Sequence, residues 1–148
     1  QAQALSPHRM DVHSLSGQLL LIDDSYNANI DSVTAALVAL KQLAEGRRKV
    51  FVAGQMLELG DTSEQVHTRT AELAHEAGVS DILAIGEAAR PLARRARELG
   101  IATTYVDDAD QALAMIDQIV TDFDAVLVKG SHSSGAWRIA DYLKEVRA

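Results

Sequence analysis

In the run DDSYNAN, Asp23 and Asp24 are followed directly by Ser25, Tyr26 and Asn27 and, one alanine on, by Asn29. Two adjacent carboxylates repel and lose solvation if buried, so the fold must leave them in water or give them partners. A carboxylate at the mouth of a strand can accept both hydroxyls of a ribose, and carboxamides can bond the edge of a peptide or nucleotide. A plainer reading is a capped turn, in which Asn29 or Asp31 closes the start of a helix and Asp23 fixes the bend. That explains one or two polar residues, not a run of them around a tyrosine. Two other segments have similar capacity: GQMLELGD at 54–61, with Glu58, and KGSHSSG at 129–135, with Lys129, Ser131 and His132. Lys129 ends an apolar run, so its ammonium is expected beside a cleft, where replacement by methionine costs little stability.

Several familiar chemistries fail on these residues. Gly130 and Gly135 have the outline of a phosphate loop, but Ala136 and Trp137 follow where Lys and Ser or Thr belong. No Gly-x-Gly-x-x-Gly follows the first aliphatic run, which removes a dinucleotide fingerprint. A phosphoacceptor receiver would use the paired acids and Lys129, but the sequence has Gln55 where its nucleophilic aspartate must stand. Ser131 beside His132 lacks the Gly-x-Ser-x-Gly elbow of a hydrolase. His67 and His75 are joined by no carboxylate at ligand spacing and read as solvent-side or helix-packing residues. Trp137, Ile139, Leu143 and Val146 read as a core stripe.

The elements that must hold these segments alternate between short aliphatic runs and stretches of helical period, the pattern of an α/β fold with parallel strands. Strands are expected at 19–23, 49–53, 82–85, 103–106 and 125–128, and residues 10–15 should pair antiparallel with the first of these through a turn at Ser16 and Gly17. One helix carries Val33, Leu37, Leu40 and Leu43 and ends before Gly46; the next opens with a capping box, Thr62 and Gln65, and stops at Gly78. Further helices are expected at 88–99, with Pro91 in the first turn, at 108–120 and at 134–146. In such a sheet ligands bind beyond the carboxyl ends of the strands, where all three polar segments fall.

The 148 residues suit one domain burying about 70% of its unfolded surface. With 14 basic and 21 acidic residues the formal charge is -7, which argues against nucleic acid or an anionic membrane as partner. No cysteine is present, no apolar run approaches the roughly 20 residues of a membrane span, and no signal-peptide pattern opens the chain. A cytoplasmic domain, without membrane insertion, is expected.

Taken in order, IDDSYNANIDSVTAAL, VAGQMLELGDTSEQVH, ILAIGEAA and VLVKGSHSSGAWRIADYL resemble the C-terminal domain of the Mur ligase family across nearly the whole chain. DDSYNAN resembles the branch that adds D-alanyl-D-alanine to UDP-N-acetylmuramoyl-tripeptide in peptidoglycan precursor synthesis. The resemblance implies a Rossmann-like three-layer sandwich with a mostly parallel sheet of about six strands and one antiparallel edge strand. It implies residues 1–15 as linker and edge strand and 16–148 as the C-terminal domain. The whole enzyme would be a bacterial ATP-dependent ligase whose N-terminal domain holds the UDP-sugar and whose central domain carries the phosphate loop and magnesium ligands. ATP and Mg2+ would therefore belong to the full-length enzyme. The present chain should have no catalytic residue or metal ligand and be inactive alone. By resemblance, Asp24 is assigned to the ATP ribose, and Tyr26, Asn27 and Asn29 to the loop beside the nucleotide. Ser25, Glu58, Lys129, Ser131 and His132 are assigned to substrate, where the dipeptide is recognised. The chain departs from the family's usual proline, aspartate and arginine at Ile30, Gln55 and His132. The alternative is a stand-alone flavodoxin-like binding module, which a chain start directly before Gln1 would favour.

Overall fold

The structure, a computed structural model, describes residues 8–148; most of the expected linker lies in 1–7, outside the described residues. The expected alternation is present as β1 (Asp11–Leu15), β2 (Leu19–Asp24), α1 (Ile30–Leu43), β3 (Lys49–Gly54), α2 (Ser63–Glu76) and β4 (Asp81–Ile85). It continues through α3 (Arg90–Glu98), β5 (Ala102–Val106), α4 (Ala109–Ile119), β6 (Ala125–Lys129) and α5 (Ala136–Val146). The strands form one sheet in the order β1-β2-β6-β3-β4-β5, and only β1 is antiparallel, with Leu15 opposite Leu19 across the short turn.

Alternation along the strands sorts the core into two layers, because successive side chains point to opposite faces. Ile22, Phe51, Ile82 and Leu127 pack under α1, α2 and α3, whereas Leu21, Val52, Leu83 and Val126 pack under α4 and α5. The result is the expected three-layer α/β sandwich. The last strand, β6, returns to lie between β2 and β3, so the loops leaving β2, β3 and β6 meet at one end of the sheet. This reversal of strand order is where open α/β sheets place ligands. Close backbone contact holds the meeting point: a Cβ on Gly130 would lie 2.6 Å from Gly54 Cα, which only glycine tolerates.

Several local expectations are corrected. No capping box forms at Thr62, which already has helical dihedrals (φ -88°, ψ -2°); its hydroxyl donates instead to the Leu59 carbonyl at 2.7 Å. Leu43 is exposed because the buried stripe of α1 steps by four from Leu40 to Ala44. Val146 is exposed, since Leu143 is the last residue of α5 covered by the sheet. Trp137 is only half-buried and stacks on His132, with ring centroids 5.4 Å apart.

Candidate functional site

The two adjacent acids are resolved by strand geometry. Asp23 and Asp24 end β2, so their side chains leave on opposite faces, and each meets its own lysine. Asp23 is fully buried on the α5 side, where its carboxylate accepts from Lys144 Nζ at 2.6 Å and Ser25 Oγ at 2.5 Å, and His8 Nδ1 lies 2.6 Å away. Burial alone would lower the Lys144 pKa, but the bond to Asp23 and the charge of Asp11 outweigh it, so the ammonium is held charged. Asp24 faces the α1 side and accepts from Lys129 Nζ at 2.7 Å and from the Met10 amide at 2.9 Å.

Lys129 corrects the expectation that its replacement by methionine costs little stability, because its ammonium is already paired. It stands opposite Asp24 in the β2–β6 register and is 2% exposed. Besides the Asp24 carboxylate, its ammonium bonds the Asn27 carbonyl at 2.9 Å and approaches the Asp24 carbonyl at 3.4 Å. The lysine thus ties the loop after β2 to the end of β6, and its removal would strand a largely desolvated carboxylate.

Around this pair lie two adjoining cavities. The first, about 240 Å³, is lined by Asp24, Tyr26, Asn27, Asn29 and Lys129, with Arg9 at its edge. The second, about 500 Å³, is lined by Glu58, Ser131 and His132 and shares Tyr26 and Asn27 with the first. Eight of the nine expected site residues thus come together. The ninth, Ser25, is fully buried and turned to Asp23, away from both cavities. Asn29 also fulfils the plainer reading, since its Oδ1 caps α1 by accepting from the Ser32 amide at 2.8 Å.

The walls of the second cavity are set by contacts between loops. Ser131 Oγ accepts from the Leu57 amide, and the Ser131 amide donates to the Gln55 carbonyl, both at 3.0 Å. His67, buried on α2, accepts from the Met56 amide through Nε2 at 3.0 Å, and Nδ1 lies 2.8 Å from the Ser63 carbonyl. This pairing requires the neutral ring with its proton on Nδ1, and burial accordingly pushes the His67 pKa down. His67 is therefore of the helix-packing kind and also holds a cavity-lining loop; His75 is solvent-side. Glu58 occupies left-handed backbone, φ 62°, a conformation uncommon for a residue with a side chain. His132 meets Tyr26 edge-on at 6.3 Å.

Lys144, His8 and Arg9 also belong to this end of the sheet, though no local pattern in the sequence marks them. Lys144 looks like an ordinary basic residue in the last turn of a helix, and nothing local announces its partner. Arg9 lies 4.0 Å above the Tyr26 ring, and the Tyr26 amide donates to the His8 carbonyl at 2.9 Å, so the chain entering β1 is laced to the loop after β2. Chemically, the cavity walls offer a carboxylate, an ammonium, carboxamides and hydroxyls, while Ser25, whose hydroxyl lies 3.3 Å from His8 Nδ1, is buried away from both cavities.

An open, mostly parallel sheet whose carboxyl-end loops surround a paired acid and lysine makes this a Rossmann-like α/β domain, and the chain belongs to the Mur ligase family. Residues 8–132 match the family described as Mur ligase, glutamate ligase domain. Among curated relatives, UDP-N-acetylmuramoyl-tripeptide--D-alanyl-D-alanine ligase of Mycobacterium leprae is 36% identical over 94% of this chain and 30% of its own length. A crystal structure of MurF from Acinetobacter baumannii superposes with a TM-score of 0.84 at 28% identity, covering 98% of this chain and 32% of that one. MurF ligase from Thermotoga maritima in complex with ADP shares the fold at a TM-score of 0.74 and 23% identity, over 97% of this chain and 32% of its own. The present chain spans about a third of the length of these relatives.

Proposed function

We propose that the chain is the C-terminal part of a bacterial, cytoplasmic, ATP-dependent ligase that adds D-alanyl-D-alanine to UDP-N-acetylmuramoyl-tripeptide in peptidoglycan precursor synthesis. Residues 1–15 would be linker and edge strand, and 16–148 the domain proper. The observation that carries the reading is the convergence of three strand-end loops on two adjoining cavities, in a chain that matches the Mur ligase family over residues 8–132. Among the described residues, no helix is long and apolar enough to cross a membrane.

The residues of the first cavity fit the sugar end of ATP. Asp24 accepts from the ribose hydroxyls, Lys129 holds that carboxylate in place, and Asn27 and Asn29 offer carboxamides beside Tyr26. ATP supplies the phosphoryl group that activates the tripeptide carboxylate. Mg2+ and the phosphates would be held by a central domain, because this chain has no phosphate loop. The second cavity takes the dipeptide: Glu58 faces its amine, while Ser131 and His132 line its path. The strained backbone at Glu58 supports a binding role, since such conformations cluster at functional sites. Ser25 acts indirectly, by holding Asp23.

A purified 148-residue chain should unfold in one cooperative transition, yet release no phosphate from ATP and form no peptide bond. Turnover above background by the pure chain would overturn the assignment of catalysis to other domains. Finding a phosphate-loop domain encoded upstream supports the ligase, and a start codon just before Gln1 supports a stand-alone binding module.

A further inference from the structure

Helix α3 reads RPLARRARE, with four arginines in nine residues of a chain whose formal charge is -7. Arg95 is taken up by Glu72 at 3.1 Å and Glu98 at 3.0 Å. The other three, Arg90, Arg94 and Arg97, recur at i, i+4 and i+7 and fall on one exposed stripe. With Ala93 and Tyr105 of β5 they line a cavity of about 420 Å³. Their partners are sparse: Arg90 reaches Asp107 at 3.3 Å, Arg94 reaches Glu64 only at 3.9 Å, and Arg97 reaches the Thr103 carbonyl at 3.5 Å.

Helix stability does not account for this stripe. Like charges at i, i+4 destabilise a helix, and Arg90 lies in the first turn, where the dipole disfavours a cation. The Arg90 guanidinium lies 4.5 Å over the Tyr105 ring. The Tyr105 hydroxyl is buried and makes no hydrogen bond of good geometry among the described residues, although the Asp107 carboxylate stands near enough to compete for it, an arrangement that costs stability unless a ligand completes it. Burial pushes the Tyr105 pKa up, with the charge of Arg90 opposing and the Asp107 carboxylate adding to the rise, so the hydroxyl remains a donor at neutral pH.

We propose that this cavity is an anion site, separate from the strand-end cleft, which takes a phosphoryl or pyrophosphoryl group between Arg90, Arg94 and Arg97 with the Tyr105 hydroxyl donating to it. The two sites share no lining residue, and β5 is two sheet positions, roughly 10 Å, from β3, the nearest strand whose loop lines the cleft. Planar guanidinium groups match phosphate oxygens two bonds at a time. The stripe extends about 10 Å along the helix, which suits linked phosphoryl groups better than a single carboxylate. The acidic remainder of the surface repels anions, so attraction here must be local.

The test is an NMR titration of the 15N-labelled chain, at physiological salt, with inorganic phosphate, inorganic pyrophosphate and ADP in turn. Pyrophosphate should produce saturable shifts confined to α3 and β5. The double variant Arg94→Ala/Arg97→Ala, which keeps the helix because alanine is its best former, should weaken this binding about tenfold or more. Tyr105→Phe deletes only the unpartnered hydroxyl and should also weaken it, without lowering the melting temperature. If ADP moves α3 as well, the phosphoryl group belongs to a nucleotide; if only the inorganic ions do, it belongs to a free anion, and either supports the site. Shifts that grow linearly with ionic strength overturn it. So does a response confined to the loops after β2, β3 and β6, or unchanged affinity in the double variant. Self-association without added anion, abolished by the same double variant, would assign the stripe to a second copy and overturn the anion site.

Discussion

At the amino end of the sheet, Arg48 closes a knot with Asp81, Asp124 and the Ile119 carbonyl; at the carboxyl end, Lys129 holds Asp24 and the Asn27 carbonyl. Both tie together strands distant in sequence, and each includes a carboxylate largely withdrawn from water. They differ in what remains open. Asp124 takes four donors, Arg48 Nε on one oxygen and Arg48 Nη2 with the Thr121 amide and hydroxyl on the other, whereas Asp24 takes one on each oxygen, and the Arg48 pKa is raised chiefly by its bond to Asp124. No cavity borders that knot among the cavities described. The Asp24–Lys129 pair instead forms part of the wall of a cavity. A charge cluster that is fully satisfied serves cohesion, whereas one left beside open space keeps its geometry ready for a ligand.

The comparison is tested most severely by deleting the two cations. Lys129→Met and Arg48→Met should each lower unfolding free energy by about 3–5 kcal/mol in denaturant titrations, because a desolvated carboxylate is left behind. Adding Asp24→Asn to Lys129→Met should recover much of that loss. If Lys129→Met is nearly neutral, the carboxyl-end pair is not structural and the likeness between the two ends fails.

The acids should then separate the two ends by function. In the full-length ligase proposed above, Asp24→Asn should weaken ATP about tenfold or more, the worth of a charge-assisted hydrogen bond of roughly 1.5–3 kcal/mol. D-alanyl-D-alanine should be affected less. Asp124→Asn should lower the melting temperature and leave ATP affinity alone; equal loss of ATP affinity in both variants would erase the distinction.

Acid should loosen the carboxyl end through His67. Its pKa is lower in the folded chain than the ordinary value of about 6.5, so the unfolded chain binds the extra proton first. Stability from this group is complete above that ordinary value and declines as pH falls from it toward the folded pKa. Protonation would set an N–H against the Met56 amide and release the loop bearing Glu58. In hydrogen exchange, the Met56 amide should lose protection over this window, and His67→Gln should remove the dependence. A Met56 amide protected equally at neutral and acid pH would disconnect His67 from the loop.

The smallest effect is expected at the helix cap. Asn29→Ala should cost about 1 kcal/mol of stability, well below Lys129→Met, because it removes one exposed cap bond and leaves the ion pair intact. A cost as large as that of Lys129→Met would mean that the loop, not the pair, holds the cavity.

Much of this protein is determined within single elements. Alternating aliphatic runs and helical periods specified the strands, the helices and the antiparallel first strand, because periodicity is a local property of residue type. The polar segments at 23–29, 54–61 and 129–135 were legible as strand-end loops, and Asn29 as a cap, for the same reason. Thr62 misled because an identical cap signature is overridden by a preceding tight turn. Tertiary structure alone decided the partners. Asp24 and Lys129 are 105 residues apart, and Asp23 and Lys144 are 121 apart. Only the return of β6 between β2 and β3, and the packing of α5 on the opposite face, bring each acid to its lysine. Charge attraction acts through space, so two adjacent aspartates with one local description acquire different burial, partners and roles on opposite faces of one strand.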